Sequence, residues 1–178
     1  LSLRAGYGRI FKGPSLGETL MLSDSITQDA NTQAQTGNSY EIGFDYDLAS
    51  QLNADNSKIG FTTYTYNLDN YMHPTKNGSL KNQSDMTIWG IETVFNYRKD
   101  ALGLNLSHTY SDGTEKDLDT GAKTEPRTAK IHTFKINTDY RVNSQLSFNY
   151  NSEIVPGNTY EYQTNNNVKR KGYGVHNI

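Results

Sequence analysis

Apolar and polar residues alternate over many short segments of this chain, the period-2 pattern of β-strands with two different faces. The opening segment shows it clearly, with its apolar side formed by Leu1, Leu3, Ala5 and Tyr7. The chain then enters FKGPSL, where Pro14 lacks a backbone donor and ends the pairing. A polar stretch without periodicity continues to residue 37. The pattern predicts a strand that leads into a long polar connection, and the chain repeats this unit.

Seven further segments are predicted to be strands: 39–48, 58–71, 85–98, 102–110, 130–142, 145–154 and 168–178. The first of them carries aromatic residues on one side and carboxylates on the other. In the segment 58–71, Ile59 and Phe61 alternate in one phase, whereas Tyr64 and Tyr66 alternate in the other. Two explanations remain open: a β-bulge near Thr62 shifts the register, or aromatic residues line the polar face.

The predicted connections alternate in length. Those near 12–38, 72–84, 111–128 and 155–167 are long, those near 98–101 and 142–145 are very short, and 49–57 is intermediate. Outer-membrane barrels have long extracellular loops and short periplasmic turns, with aromatic girdles near the strand ends. Candidate girdle residues are Tyr7, Tyr46, Trp89, Tyr97 and Tyr110. We therefore predict an all-β, antiparallel transmembrane β-barrel, with about eight strands of a larger barrel. A soluble antiparallel sandwich or barrel is the alternative.

The composition agrees with a membrane barrel. Hydrophobic residues make up 34% of the 178 residues, and 13 of them are tyrosines, while mean hydropathy is −0.78. Such low apolarity would indicate disorder in a soluble chain, but the clear alternation contradicts disorder. The sequence has no apolar run long enough for a transmembrane helix. The net charge of −2 gives no basis for nucleic-acid binding, and the absence of cysteine excludes a thiolate metal site.

No residue constellation indicates catalysis, so we expect the chain not to be an enzyme. Of the histidines, only His73 falls in a predicted long loop, where Pro74 stiffens the backbone, and a solvated loop histidine is its ordinary role. The others lie in predicted strands or near the end of the chain: His108, His132 and His176.

Three alternating carboxylates lie in the predicted loop over 111–128: Glu115, Asp117 and Asp119. Hard cations prefer such oxygen ligands, but a solvated acidic loop is the more common structure. We therefore predict no metal site.

Four motifs resemble those of TonB-dependent outer-membrane receptors, especially receptors for haem and haemoglobin. FKGPSLGE resembles the FRAP box, with matches at Phe11, Pro14, Ser15 and Glu18, and we expect this stretch to anchor a loop. IWG at 88–90, followed by Glu92, resembles a strand of haem receptors. DLDTG at 117–121 resembles their DTDTG loop, and GYGV at 172–175 resembles a strand near the end of their barrel.

The resemblance implies one partial barrel domain over residues 1–178, roughly a third of a 22-stranded barrel, without its plug domain and last strands. It implies a receptor and transporter in the bacterial outer membrane for haem from a haem-carrying protein. The extracellular loops would bind that protein, the missing plug would contact TonB, and haem would be transported rather than kept as a prosthetic group. A catecholate-type ferric-siderophore receptor is an alternative, because residues 19–37 contain no histidine. A plug-less, porin-like barrel is another.

Haem iron takes an imidazole or phenolate ligand in apolar and aromatic surroundings. On this resemblance His73 is our candidate haem ligand, with a solvated loop histidine as the alternative. The loop tyrosines Tyr160 and Tyr162 are weaker candidates.

Overall fold

Nine strands, eight of them in one continuous order, form an antiparallel sheet in this computed structural model, which describes residues 1–13, 31–74, 80–126, 130–161 and 167–178. At 73–74, 80, 160–161 and 167–168 only the backbone is described. In chain order the elements are β1 (Ser2–Lys12), β2 (Gln35–Asp47), α1 (Ala49–Leu52), β3 (Asn56–Pro74), β4 (Leu80–Lys99), β5 (Leu102–Asp117), β6 (Lys123–Thr124), β7 (Ile131–Arg141), β8 (Ser147–Val155), β9 (Asn158–Glu161), β10 (Asn167–Arg170) and β11 (Tyr173–Asn177).

The sheet order is β1-β2-β3-β4-β5-β7-β8-β11, so successive long strands are neighbours. The short β6 pairs with the outer part of β5, and β9 pairs with β10 in a separate hairpin. This topology confirms the predicted all-β antiparallel architecture and the predicted eight principal strands. It has the meander order from which antiparallel barrels are built.

Short connections join the strands at one end of the sheet. Residues 48–55 contain α1, residues 100–101 form a two-residue turn, and residues 142–146 close β7 onto β8. Asn53 and Asp100 adopt the left-handed conformation in these turns, which asparagine and aspartate tolerate better than most residues. We call this end the inner end and the opposite end, which carries the longer connections, the outer end.

The register gives the sheet two different faces, because directly paired residues point to the same side. One row across six strands consists of Phe44, Phe61, Thr93, His108, Phe134 and Ile154. We call this side the apolar face; it also carries Leu3, Tyr7, Ile42, Trp89, Phe95, Leu106, Ile136 and Phe148. The opposite side, the polar face, carries Arg4, Glu41, Asp45, Glu92, Arg98, Lys135, Asp139 and Glu153.

The change of phase within β3 is explained by aromatic residues on the polar face. Register is continuous from Asn56 to Leu68, with Tyr64 opposite both Glu41 and Gly90. Of the two explanations left open, the bulge near Thr62 does not occur, and the occupied polar face is the correct one. Register shifts occur later, between Leu68 and Met72, where Asn70 adopts a left-handed conformation with φ of 60°.

Four strands extend farther at the outer end than predicted, including β2, which begins at Gln35 and not at residue 39. The predicted loop over 72–84 is wrong, because β3 continues to Pro74 and β4 begins at Leu80. Strand β5 likewise continues to Asp117. The predicted connection over 155–167 contains β9, and the predicted last strand divides between β10 and β11. In these outer parts polar residues predominate on both faces, so the backbone pairs without a regular alternation in hydropathy.

The sheet has no second layer packed on its apolar face in the described part of the chain. Only two described hydrophobic residues are buried, Met72 and Met86, whereas Trp89, Phe148 and Ile42 are among many exposed apolar residues. A soluble sandwich buries its apolar faces against each other, so this arrangement argues against the sandwich alternative. No helix in the described ranges is long and apolar enough to cross a membrane.

Candidate functional site

The apolar face forms a band whose height suits a membrane. On β5 it runs from Leu102 to Tyr110, and on β4 from Tyr97 to Trp89. Eight residue steps of about 3.4 Å give about 27 Å along a strand, or about 20 Å after the usual strand tilt, close to the apolar band of about 25 Å. The predicted girdle residues lie on this face, with Tyr7, Trp89 and Tyr110 toward the outer end and Tyr46 and Tyr97 toward the inner end.

Ion pairs cross between strands on the polar face. Arg4 lies 2.5 Å from Asp45, Arg98 lies 3.1 Å from Asp139, and Lys135 lies 3.3 Å from Glu153. All these side chains are about a third to a half exposed, so each pair contributes only about 0–1 kcal/mol. These ion pairs indicate which face of the sheet is hydrated, because charged residues in a barrel wall face the lumen.

Tyr64 lies across Gly90 on the polar face. A Cβ atom at position 90 would overlap the Cζ and Oη atoms of Tyr64, so glycine provides the space for the ring. The motif IWG thus has a structural explanation: Trp89 belongs to the apolar band, and Gly90 accommodates a tyrosine on the opposite face.

The DLDTG motif at 117–121 forms a capped turn at the outer end. The Asp117 Oδ1 atom accepts hydrogen bonds from the Asp119 N–H (2.9 Å), the Thr120 N–H (2.7 Å) and the Thr120 hydroxyl (2.9 Å). Gly121, with φ of 72°, donates its N–H to the Asp117 carbonyl at 2.9 Å. Glycine fits this turn because other residues adopt positive φ only at a cost.

The three carboxylates near this turn have separate partners. Glu115 accepts a hydrogen bond from the Ser84 hydroxyl at 2.6 Å, and Asp119 pairs with Lys81 at 2.5 Å. Within the described ranges, no group of three or more histidine, cysteine, aspartate or glutamate residues is arranged to hold a metal ion. Asp117 instead caps the turn with its side chain.

Hydrogen bonds from the backbone and side chain of Thr120 hold the pKa of Asp117 below its ordinary value. A lowered pKa means that the ionised form stabilises the turn above the ordinary pKa of about 3.8, and that this contribution is lost as pH falls through the lowered value.

We therefore expect the Thr120 amide resonance of the full-length protein to shift with pH, with a midpoint below 3.8. Asp117→Asn, which keeps the acceptor oxygen, should abolish this transition, while Asp119→Asn should preserve it. A midpoint at or above the ordinary value would contradict the assignment.

A second structure at the outer end, the outer clamp, consists of Gln33, Asn70, Asn82 and Asp85. The Asn82 Oδ1 atom accepts from the Gln33 N–H at 2.6 Å, and its Nδ2 donates to the Gln33 carbonyl at 2.9 Å and to the Asn70 carbonyl at 2.6 Å. Asp85 accepts from the Asn70 N–H at 3.0 Å. The clamp therefore ties the segment before β2 across the β3 bulge to β4, beside a cleft of about 260 Å³.

The residues of the FRAP-like box are only partly described. Phe11 lies in β1 on the apolar face, opposite Thr36, and its side chain is exposed. Pro14, Ser15 and Glu18 lie outside the described residues, so their role as a loop anchor stays a prediction.

His73 lies in β3, with its backbone opposite Lys81, and not in a loop as the sequence predicted. The loop prediction was wrong because this polar hairpin extends the sheet beyond the apolar band. Position 73 is nevertheless near the outer end of the longest described hairpin. Its side chain is outside the description, and its role as a haem ligand stays a prediction.

The remaining candidate ligands are placed in strands. His108 and His132 belong to the apolar face, where the ring of His108 stacks on Phe134 with centroids 4.5 Å apart. His176 lies in β11, with Nδ1 2.9 Å from both the Tyr150 and Ser152 hydroxyls. All three histidines therefore lie on the apolar face, and their side chains are directed away from the polar face. Of the two tyrosines, Tyr160 lies in β9 and Tyr162 is outside the described residues.

Sequence reasoning missed the outer clamp and the contact between Tyr64 and Gly90. Asparagine and glutamine are common in polar connections, and nothing in the spacing of Gln33, Asn70 and Asn82 indicates that they meet. A glycine inside a predicted strand does signal close approach, so Gly90 carried a usable signal.

The wall of an outer-membrane barrel has an apolar face toward lipid, a polar face toward the lumen and long connections at the outer end. The sheet described here has these three features. The profile of the family "TonB dependent receptor-like, beta-barrel" matches residues 1–178, and the chain belongs to this family. Members of the family lie in the bacterial outer membrane, which agrees with the two faces of the sheet.

Solved structures show the same fold. The FrpB iron transporter of Neisseria meningitidis, F3-3 variant, superposes with a TM-score of 0.77 at 19% identity, over 98% of this chain and 28% of that one. The apoprotein form of the F5-1 variant gives 0.77 at 17% identity, over 98% and 28%. The chain therefore spans about 28% of the length of these transporters. No curated protein has significant sequence similarity to the chain.

Proposed function

We propose that this chain forms part of the barrel wall of a TonB-dependent receptor that imports haem, taken from a haem-carrying protein. The observation that carries the proposal is the two-faced sheet whose strands β3, β4 and β5 continue beyond the apolar band. Such a wall encloses a hydrated passage and holds binding elements outside the membrane. The proposal assigns transport to the protein and assigns no enzymatic step.

In uptake, this part of the protein would hold the outer connections in place and line the passage. The outer clamp and the capped turn at 117–121 fix the connections that a ligand meets first, and the ion pairs of the polar face line the passage. A plug domain elsewhere in the full-length protein would close the passage and would be moved through TonB. These steps follow from the family, and they are proposals for this protein.

Haem is proposed as the cargo because four motifs resemble those of haem receptors and because His73 lies near the outer end. An imidazole is a common axial ligand of haem iron. Of the four histidines, the other three lie on the apolar face, so His73 is the one consistent with a ligand approaching from outside.

The test is a titration of the full-length receptor in detergent with haem, followed by its Soret absorption. We expect a saturable shift at near-stoichiometric haem in the wild type, and at least a tenfold weaker apparent affinity in His73→Ala. The matched control is His132→Phe, which preserves ring contacts on the apolar face and should bind like the wild type. Equal binding by all three proteins would remove His73 as a ligand. A flat response to free haem and to haem-loaded carrier would refute haem as the cargo.

One observation favours a second candidate, uptake of a ferric siderophore. The cleft beside the outer clamp is lined by amides and hydroxyls, including Asn31, Thr32 and Asn82, with the ion pair of Lys81 and Asp119. Such a surface suits an oxygen-rich chelate better than a porphyrin, which needs apolar and aromatic contacts. Titration of the same receptor with a ferric catecholate, measured by quenching of tryptophan fluorescence, distinguishes the two cargoes.

A further inference from the structure

The apolar face contains a groove along the middle of β3, in the outer half of the apolar band. Its floor is formed by Thr63 and Thr65, and its walls by Tyr40 and Ile42 on β2 and by Trp89 on β4. The volume of the groove is about 290 Å³. The walls stand two strand spacings apart, about 10 Å, which leaves space for one hydrocarbon chain between the aromatic side chains.

The floor of the groove is apolar although it consists of threonines. The Thr63 hydroxyl donates to the Gly90 carbonyl at 3.1 Å, and the Thr65 hydroxyl donates to the Ile88 carbonyl at 3.4 Å. Both hydroxyls are therefore directed to the neighbouring strand, and the threonine methyl groups form the surface that a ligand would contact.

Contacts on the far side of each wall keep the groove open. The ring of Tyr40 packs against Tyr7, with centroids 5.2 Å apart, and the ring of Trp89 packs against Tyr110, with centroids 5.6 Å apart. Each aromatic wall thus contacts a residue away from β3. At its inner end the groove meets Phe61, which stacks on Phe44 at 5.8 Å. The groove is therefore preformed and closed toward the middle of the membrane.

The row of residues just outside the groove presents hydrogen-bond donors. Arg9, Asn38 and Asn67 lie opposite one another on the apolar face. The Asn38 Oδ1 atom accepts from the Tyr7 hydroxyl at 3.0 Å, and the Asn67 Oδ1 atom accepts from the Thr87 hydroxyl at 3.0 Å. With their oxygens occupied, the two amides offer N–H groups beside the Arg9 guanidinium, a combination suited to a phosphate.

The charge around this row is uneven. One carboxylate, Asp69, lies one row farther out on the same face, opposite Thr36. On the β5–β7 side, Lys130 is instead shared between Glu125 at 3.2 Å and Asp112 at 4.0 Å. The groove therefore lies next to the row that contains Arg9. It does not lie next to the β5–β7 side, where two carboxylates share one lysine.

We propose that this groove binds one acyl chain of a lipopolysaccharide molecule, with a headgroup phosphate held by Arg9, Asn38 and Asn67. The position selects this lipid, because the groove lies in the outer half of the apolar band, and the outer leaflet there consists of phosphorylated, multiply acylated lipid. The inference rests on the family assignment and on the membrane position of the sheet, and it is independent of the proposed cargo.

The experiment measures the lipid retained by the full-length protein after extraction and extended washing in mild detergent. Native mass spectrometry and phosphate analysis count the lipopolysaccharide molecules per protein. The groove is filled with the double substitution Thr63→Leu and Thr65→Leu, and the phosphate site is reversed with Arg9→Glu. The control is Thr93→Leu, the same change on the same face outside the groove. Heat-modifiable mobility in gels confirms that each variant is folded.

We expect one retained lipopolysaccharide molecule in the wild type and in Thr93→Leu, and at least a fivefold lower occupancy in the groove-filled protein and in Arg9→Glu. Equal retention by wild type and groove-filled protein would overturn the proposal. So would retention of phosphatidylglycerol equal to that of lipopolysaccharide when the protein is reconstituted with each lipid separately, because the groove would then bind any anionic lipid.

Discussion

Replacing Gly90 with valine is expected to destabilise the barrel wall by about 1–3 kcal/mol. The added side chain would occupy the space of the Tyr64 ring, since even a Cβ atom overlaps it. The neighbouring strands fix the backbone at this position, so Tyr64 must leave its rotamer or β4 must shift. The free energy of unfolding of the full-length protein, measured by urea titration in detergent, gives the size of the effect.

Two further variants make the Gly90 prediction specific. In a Tyr64→Ala background the same Gly90→Val change should cost much less, because the obstructing ring is gone, and the double-mutant cycle measures the coupling. Gly8→Val is the matched control: it lies on the same polar face, and a Cβ there meets only Ser39, at an ordinary distance of 3.9 Å. Equal losses for Gly8→Val and Gly90→Val would show that strand glycines matter here for reasons other than the tyrosine.

Replacing Asn82 with alanine is expected to open the outer clamp. The change removes three hydrogen bonds, two to Gln33 and one to Asn70. Each contributes about 1 kcal/mol net, so a local loss of about 2–3 kcal/mol is expected. Hydrogen exchange of the Gln33 amide in the full-length protein should therefore accelerate by about 30-fold or more, at 1.4 kcal/mol for each factor of ten.

The chemistry of the clamp predicts that aspartate does not rescue it. Asn82→Asp keeps an acceptor for the Gln33 N–H but places a carboxylate beside two carbonyl oxygens that now lack a donor. Its effect should equal or exceed that of alanine. Asn143→Ala is the control, since Asn143 caps the inner turn by accepting from the N–H groups of Gln145 and Leu146. Unchanged exchange at Gln33 in Asn82→Ala would contradict the role of the clamp.

The sequence predicted the part of the fold that lies within the membrane and failed outside it. Within the band, lipid on one side and water on the other impose alternation, so strands such as β2 and β5 are visible from the pattern. Beyond the band both faces meet water, and residues such as Lys81 and Asn82 give no alternation although they pair with His73 and Met72 in the sheet. That is why 72–84 was wrongly predicted to be a loop.

The candidate site was predicted less completely than the fold, for a related reason. The DLDTG turn is local, so its caps are encoded within five residues and a motif can indicate it. The outer clamp joins Gln33 to Asn82 across 49 positions, and only the register of β2, β3 and β4 brings them together. The aromatic residues of β3 left two explanations open because a bulge and an occupied polar face produce the same pattern.

The described strands end at unequal distances beyond the apolar band. Strand β4 continues for nine residues beyond Trp89, about 30 Å along its axis, whereas β1 ends at Lys12 and β8 at Val155. Of the described strands, β3 and β4 therefore project farther beyond the apolar band than β1 and β8, and their paired backbones form a two-stranded projection there.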